Sequence, residues 1–188
     1  FVNPNSESPD AIVQDSTIFP IVAGPWLAND AVSKWIAPAF NTSAAFGGDY
    51  TYRVTLDLTG FDPTTATVGG FWASDNDGIG ILVNGVPTGN LNTQGFGGAT
   101  AFQINPGSFV SGLNTIDFVV NNASAGFTGL RVTEIGGGAA LGGAVGAPVI
   151  VGLPADMMAE LGARARFSVL AGPVAKLERA LTQYFLDT

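Results

Sequence analysis

A strict alternation of apolar and polar residues constrains the fold of this chain more than any other feature of its sequence. In DYTYRVTLDLT, residues 49–59, every second side chain is apolar and the side chains between are polar or charged. The apolar set comprises Tyr50, Tyr52, Val54, Leu56 and Leu58. Because a period of two is the period of a β-strand, this stretch predicts a strand with one buried and one exposed face.

Other parts of the sequence also have the character of short strands. The stretch NTIDFVVNN, residues 114–122, repeats the alternation with Ile116, Phe118 and Val120. Shorter strands are predicted at residues 16–22, 65–73, 79–83, 99–104 and 127–135. Turn-forming residues separate them, including the hairpin signal Asn84-Gly85. Many short strands with frequent turns predict an all-β protein built as a β-sandwich.

Missing residue types limit the chemistry that the chain can perform. The 188 residues include no cysteine and no histidine. Disulfides, cysteine nucleophiles, Ser-His-Asp triads and the usual zinc sites are therefore excluded. Because only carboxylates, tyrosine and lysine remain for an active site, we expect a protein that is not an enzyme. We also expect no cofactor, with calcium as the one candidate ion.

The charge of the chain is strongly negative. The formal net charge is −8 at pH 7, and residues 1–135 carry 11 acidic against 3 basic side chains. Such a surface repels phosphate groups, which excludes nucleic acid as a partner. Arg53 is expected to pair with a neighbouring acid.

The charge-free run at residues 136–155 is rich in glycine, so we expect a linker there and no membrane span. Because the chain begins at Phe1, we expect a mature form or an internal fragment.

The sequence divides into residues 1–135, a Gly/Ala linker at residues 136–147, and residues 148–188. Residues 155–161 and 174–185 have a helical composition, so strand and helix both stay open there. The order of motifs in APVIVGLPADMMAELGARARFSVLAG and then LTQYFLDT resembles the opening of bacterial immunoglobulin-like repeats. The resemblance implies a partial immunoglobulin-like β segment with about three of seven strands. Sequence further along the chain or a strand from another molecule would complete it.

Most of the remaining chain resembles a second family. The resemblance rests on WLANDAVSKWIAP (26–38), on YTYRVTLDLTGFDPTTATVGGFWASDNDGIGILVNGVPTG (50–89) and on GLNTIDFVVNNASAGFTGLRV (112–132). These stretches are similar to a galactose-binding-like jelly-roll module of bacterial cell-surface proteins, often ones with PEP-CTERM sorting tails. The resemblance implies a jelly-roll β-sandwich at residues 1–135 and a location outside the cell or on its surface. Related sugar-binding jelly rolls attached to glycosidases are accessory modules, which implies a non-catalytic role.

The stretch FWASDNDGIGILVNG, residues 71–85, contains the most concentrated candidate site. Asp75 and Asp77 offer hard oxygen atoms and are candidate calcium ligands. The stretch lacks the later acidic ligand of an EF-hand loop, however. Asp and Asn also form turns by hydrogen-bonding to their own backbone, and Gly78 would supply a positive φ. A turn is therefore favoured over calcium, and a catalytic carboxylate pair is disfavoured because no second acid is nominated across a cleft.

A carbohydrate site needs an exposed aromatic ring beside hydrogen-bonding groups. Trp35, in the loop-like stretch SKWIAP, is the predicted ring platform. Asp75, Asn76 and Asn84 are the predicted hydrogen-bonding residues. Trp72 lies within a predicted strand and is expected to pack in the core instead.

These observations predict a non-catalytic extracellular protein with a structural or adhesive role. We expect it to assemble with other copies, or with adjacent surface modules, through β-strand completion. Such contacts produce filaments when they do not close on themselves. The alternative is a carbohydrate-binding module of a surface protein, with a glycan as its partner.

Overall fold

The structure, a computed structural model, describes residues 10–142 and is an all-β sandwich. Its strands are β1 (Ile12–Val13), β2 (Ile36–Ala37), β3 (Gly48–Asp57), β4 (Thr67–Asp75), β5 (Asp77–Val83), β6 (Val86–Pro87), β7 (Thr100–Ile104), β8 (Leu113–Asn122) and β9 (Gly129–Gly138). The described residues also form two single 3-10 turns, Thr42–Ala44 and Pro63–Thr65, and contain no helix long and apolar enough to cross a bilayer. The predicted β-sandwich is confirmed, whereas the predicted immunoglobulin-like segment at residues 148–188 lies outside the described residues.

The strands form two antiparallel sheets that pack against each other. One sheet has the order β1-β2-β9-β4-β7, and the other has the order β3-β8-β5-β6. The chain passes to the opposite sheet at every connection from β2 to β9 except the β5–β6 hairpin. Apolar side chains from both sheets fill the space between them, which is how a sandwich buries one face of each sheet.

The alternating stretch forms β3, which pairs with β8 along its whole length. The predicted inward side chains of both strands are buried, and those between them on β3 are exposed or half-buried. The Phe118 ring of β8 meets the Trp72 ring of β4 edge-on, with 5.7 Å between centroids. The prediction that Trp72 packs in the core is therefore confirmed, and so is the burial pattern predicted for β3.

The predicted strand at residues 16–22 is wrong. These residues belong to a long loop, residues 14–35, which connects β1 to β2 and which we call the covering loop. The N–H groups of Ile21 and Val22 bond back to the carbonyl of Ile18, at 3.1 and 2.9 Å. Pro20 has no N–H to give to a sheet ladder. Of the apolar residues that suggested a strand, Ile21 is buried against the sheet, whereas Ile18, Phe19 and Val22 remain about half exposed.

The predicted linker begins too early. Residues 136–138 belong to β9 and pair with residues 67–69 of β4. Close packing explains the glycine at position 137, where a Cβ would lie 2.2 Å from the carbonyl oxygen of Thr67. Glycine here allows two backbones to approach each other. The sandwich therefore extends beyond the predicted boundary at residue 135.

Candidate functional site

The predicted turn at Asp75–Asp77 is the point where the chain crosses between the sheets. Asp75 ends β4 and Asp77 begins β5 on the opposite side of the sandwich, and the peptide bond between Asp75 and Asn76 is cis. Asp75 is only 5% exposed. Its Oδ2 accepts a 2.7 Å hydrogen bond from the indole of Trp26, and its Oδ1 accepts a 2.8 Å hydrogen bond from the Asn76 amide. The Asp75 side chain is thus an anchor between elements of the fold.

Burial raises the pKa of Asp75 above its ordinary value, and the hydrogen bond from Trp26 offsets part of this effect. Taking a carboxylate out of water disfavours its charged form, whereas an N–H donor favours it.

The role predicted for Gly78 in this turn is corrected, because Gly78 does not have a positive φ. A Cβ at this position would lie 2.5 Å from Asn92 Cβ and 2.6 Å from the Trp72 ring. Glycine is therefore required at position 78 because a side chain would not fit.

The residues predicted as calcium ligands do not fit that role. Calcium takes about six to eight oxygen ligands, but both side-chain oxygens of Asp75 already face N–H donors. Asp77 is exposed and is the first residue of β5, which belongs to the opposite sheet. Among residues 10–142, no three acidic, histidine or cysteine side chains are grouped so that they could hold a metal ion. Asp75 and Asp77 therefore have structural positions and form no calcium cradle.

Trp35 does not present the ring face that a sugar platform requires. Its exposed fraction is 0%, and its indole N–H donates to the carbonyl of Leu27 at 2.8 Å. The Trp35 and Trp26 rings lie 4.2 Å apart between centroids, with an interplanar angle of 34°. Both pack with Ile21 and Ala73 in a second, smaller core beneath the covering loop. The prediction of an exposed Trp35 is therefore corrected: this loop folds its two tryptophan rings inward and buries them.

A buried arginine on β9, which the sequence patterns did not single out, holds the covering loop on the sheet. Arg131 Nη2 lies 2.6 Å from Asp30 Oδ2, and Arg131 Nε donates to the Ser33 hydroxyl at 2.8 Å. Its Nη1 donates to the carbonyl of Ala28. An arginine fork suits several acceptors at once. Together with the Trp26–Asp75 bond, this cluster attaches the loop at two points.

Asn84 lies away from the other predicted ligand-binding residues. The length of β5 separates it from Asp77, roughly 20 Å at about 3.3 Å per residue. Its amide bonds to Asn114 Oδ1 at 2.8 Å and accepts from the Thr115 N–H at 2.9 Å. The structure therefore brings Trp35, Asp75 and Asn76 to one end of the sandwich and leaves Asn84 at the other. It does not form the single site that the sequence suggested.

The surface that best fits a contact site lies beside β1, between the covering loop and the β2–β3 connection. Two adjoining cavities of about 90 and 460 Å³ share Gln14, Asp15, Ile18 and Phe40 among their lining residues. We call the surface around them the corner groove; its lining also includes Phe19 and Phe127. Ile18, Phe19 and Phe40 are each at least half exposed. The groove thus carries large apolar side chains on its rim.

The rim of the corner groove is continuous with the second core. Phe19 meets Phe127 edge-on with 5.3 Å between ring centroids, and Phe127 meets Trp26 at 6.5 Å. Since Trp26 in turn packs on Trp35, a series of rings leads from the solvent to the interior. Aromatic pairs in such edge-to-face geometry stabilise each other beyond their area of contact. The exposed ring of Phe19 is therefore supported from below.

Polar groups lie beside these rings. The Asp15 carboxylate accepts hydrogen bonds from the backbone N–H and the hydroxyl of Thr17, at 2.8 and 2.7 Å. These bonds favour the charged form of Asp15 and hold its pKa below its ordinary value. The Gln14 amide nitrogen donates to the carbonyls of Ile12 and Ala39, which ties β1 to the start of the β2–β3 connection. The groove therefore combines apolar rims with fixed polar groups.

Comparison with models of known protein families gives no match for this chain, and comparison with curated protein sequences gives none either. We therefore interpret the corner groove from its own geometry and from the motifs of the sequence. Sequence patterns miss the groove because the apolar run that contains Ile18 and Phe19 predicts a strand. The signal that could have found it is Phe19-Pro20, since a proline within an apolar run argues against a central strand.

Proposed function

We propose that this chain is a non-catalytic extracellular module that acts by adhesion, with the corner groove as its contact surface. The observation that carries this proposal is the exposure of Ile18, Phe19 and Phe40 around one cavity of the surface. Monomeric soluble proteins seldom expose contiguous apolar patches larger than about a few hundred Å², and larger patches rimmed by polar groups mark interaction sites. The polar lining here includes the exposed Asp15, Ser16 and Lys34 and the buried Gln14.

The attachment of the covering loop supports this proposal. The loop that carries Ile18 and Phe19 is bonded to the sheet through Arg131 and Asp75 and packs through its own tryptophans. A surface that is already ordered before binding loses less conformational entropy when it binds. The rings of the groove are thus available for contact at little ordering cost.

A non-catalytic role is supported by the state of the buried acids. In residues 10–142, the buried carboxylates are Asp75 and Asp117. Asp75 accepts from Trp26 and Asn76, and Asp117 is bound by both ends of the Arg53 fork, at 2.6 and 2.7 Å. A catalytic carboxylate has to face its substrate. These two instead lie in different sheets and face groups of the fold.

The strand order supports the jelly-roll family as the origin of this module. Four antiparallel pairings, β2 with β9, β3 with β8, β4 with β7 and β5 with β6, are nested in sequence. A long antiparallel hairpin rolled into two sheets would have this nested order, and this supports the proposal of a jelly roll. The proposed location on a bacterial cell surface, or outside the cell, follows from the resemblance to surface modules of this family.

The proposed partners are other copies of the chain or adjacent surface modules. Strand completion at residues 148–188 is proposed from their resemblance to an immunoglobulin-like repeat, and these residues lie outside the described part. The corner groove offers a second route to assembly that the described residues support. The two routes can be separated, because groove variants leave residues 148–188 unchanged.

The test compares the full chain with a Phe19→Ala/Phe40→Ala double variant and a Phe46→Ala control. Phe46 is 63% exposed, against 74% for Phe40, and does not line the groove. Sedimentation velocity over a range of concentrations should show self-association of the wild type and of the control, and its loss in the double variant. Equal association of all three proteins would contradict the role of the groove. If the control loses association equally, the association depends on exposed apolar area in general and not on the groove.

A carbohydrate-binding module is the second candidate function. It is favoured by one observation, the position of the Phe19 and Phe40 rings beside the Asp15 carboxylate. Sugar rings pack their C–H faces on aromatic rings while amides and carboxylates bond to the hydroxyl groups. A glycan array, probed with and without calcium, should show binding that the double variant loses and the Phe46→Ala control keeps. An array without any binding would remove this candidate and leave the adhesive role standing.

A further inference from the structure

The hairpin between β5 and β6 contains the one Asn-Gly pair of the sequence, Asn84-Gly85. Both residues have a positive φ, 51° and 80°, as a type I′ turn requires. The backbone nitrogen of a glycine can attack the side-chain amide of the asparagine before it, because glycine adds no side chain to hinder the approach. We propose that Asn84 is a deamidation site that the folded protein keeps closed through Asn114 and Thr115.

Two hydrogen bonds hold the Asn84 amide in the fold. Its nitrogen donates to Asn114 Oδ1 at 2.8 Å, and its oxygen accepts from the Thr115 N–H at 2.9 Å. The Asn84 backbone N–H also donates to the carbonyl of Thr115 at 2.9 Å. The side chain is therefore fixed to β8 although it lies at an exposed turn. We call this set of bonds the amide clamp.

The reaction balances without any oxidant or cofactor. The Gly85 nitrogen forms a bond to Asn84 Cγ, the bond from Cγ to the amide nitrogen breaks, and ammonia leaves with the proton that Gly85 loses. The product is a five-membered succinimide ring. Water then opens either carbonyl–nitrogen bond of the ring, which gives an aspartate or an isoaspartate in place of Asn84.

The amide clamp opposes the first step of this reaction. The departing nitrogen has to give up its bond to Asn114, and the amide carbon has to move toward Gly85 and away from Thr115. Each of these hydrogen bonds adds to the opening free energy of the turn. The reactive conformation then forms only when this end of the sandwich opens locally. Hydrogen exchange of protected amides depends on local opening in the same way.

The product cannot restore the clamp at neutral pH. A carboxylate in place of the Asn84 amide accepts hydrogen bonds only, and it would face Asn114 Oδ1, which is also an acceptor. Asn114 cannot reverse its amide at low cost, because its nitrogen donates to the carbonyls of Val110 and Gly112, both at 2.8 Å. Its oxygen also accepts from the Val110 N–H at 2.8 Å. Deamidation of Asn84 therefore weakens the junction between the hairpin and the β7–β8 connection.

The first experiment measures the rate of deamidation by peptide mass spectrometry of the full chain in mildly alkaline buffer. The native chain should react at least about tenfold more slowly than the same chain in denaturing urea, the ratio that 1.4 kcal/mol of opening free energy gives. Asn114→Ala should react faster than Val54→Ala, a core variant that leaves the clamp intact and controls for general destabilisation. If the native chain reacts as fast as the denatured one, the amide clamp gives no protection and the proposal is wrong.

The second experiment uses Asn84→Asp as a mimic of the product. Its melting temperature at neutral pH should lie roughly 2–6 °C below that of the wild type, the shift expected for the loss of one partly buried hydrogen bond in a chain of this size. In acid the introduced carboxyl group is protonated and can donate to Asn114 Oδ1, so the difference from the wild type should narrow. A difference that is absent at neutral pH, or that widens in acid, would overturn the account of the clamp.

Discussion

The outer faces of the two sheets are built differently. On the five-stranded sheet, the covering loop packs over Ala73 and Arg131, and both are buried although their side chains point away from the central core. On the four-stranded sheet, Thr51, Arg53 and Thr55 point outward from β3 and stay exposed or half-buried. The outer face of the five-stranded sheet thus forms one side of a second core, whereas within residues 10–142 the outer face of the four-stranded sheet is not covered by such a loop.

Each of these faces carries an arginine–aspartate pair, but the buried partner differs. The Arg131 side chain is 8% exposed and that of Asp30 47%, whereas Arg53 is 42% exposed and Asp117 6%. Arg53 and Asp117 are direct neighbours in the β3–β8 register. Arg131 and Asp30 are 101 residues apart in sequence and are joined by no strand pairing. The first pair therefore reinforces a contact that backbone hydrogen bonds already make, and the second pair attaches a loop.

The largest expected effect is that of Arg131→Ala. It leaves Asp30 Oδ2, the Ser33 hydroxyl and the Ala28 carbonyl without the donor that Arg131 supplies, and it removes packing beneath the loop. We expect a loss of about 3 kcal/mol in the free energy of unfolding, below the upper range for buried pairs because Asp30 is half-exposed. Urea denaturation followed by tryptophan fluorescence measures this loss.

Arg53→Ala is the matched control on the other face. It removes the same side chain from a pair whose closest N–O distance is also 2.6 Å. In this case, however, water can then reach Asp117, and the β3–β8 ladder stays in place. We expect a loss of about 1 kcal/mol. Equal losses for the two variants would contradict the view that Arg131 attaches a loop and Arg53 does not.

The second largest effect is expected for Asp75→Ala. This change leaves the indole N–H of Trp26 buried without its acceptor and also removes the acceptor of the Asn76 amide. The cost of an unsatisfied buried donor is about 1–3 kcal/mol, and the loosened covering loop should shift tryptophan emission toward longer wavelengths. An unchanged emission spectrum together with unchanged stability would show that the Trp26–Asp75 bond does not hold the loop.

The two faces should also differ in the titration of their aspartates. Burial raises the pKa of Asp75 above 3.8, whereas hydrogen bonds from the hydroxyl and the backbone N–H of Thr59 lower the pKa of exposed Asp57 below it. Asp75 therefore contributes stability that is present below pH 3.8 and is lost as the pH rises through its folded pKa. Asp57 contributes stability that is present above pH 3.8 and is lost as the pH falls through its folded pKa. Side-chain carboxyl NMR titration should show the two shifts in opposite directions, and shifts of the same sign would refute this difference.

The contrast between the faces explains how much of the fold could be predicted from the sequence. The inward face of β3 is predictable residue by residue, because a period of two is a local property of one strand. The pairing of Arg53 with an acid is predictable too, since an outward residue on a strand meets its cross-strand neighbour. The Asn84-Gly85 hairpin follows from the backbone preferences of two residues and is confirmed by their positive φ values.

The covering loop could not be predicted in the same way. Its order depends on Trp26, Asp75 and Arg131, which are far apart in sequence and meet only because of the sandwich topology. Trp35 has the local signature of an exposed loop residue, but its environment is decided by Trp26 and by the sheet beneath. The corner groove escapes prediction for the same reason, because its rims come from the covering loop and the β2–β3 connection. Periodicity finds the faces of strands, and it carries no information on which loop covers them.

The smallest expected effect compares the same substituent on both outer faces. Ala73→Val adds two methyl groups beneath Trp26 and Trp35, where the packing is already closed, and overpacking of this kind costs about 1 kcal/mol or more. Thr51→Val, at a half-buried site opposite Val119, should change stability by no more than about 0.5 kcal/mol, because the surface can accept a methyl group in place of the hydroxyl. Urea midpoints measured side by side decide the comparison. If Ala73→Val is as neutral as Thr51→Val, the covering loop yields to the added volume, and the corner groove that it carries is then not a fixed surface.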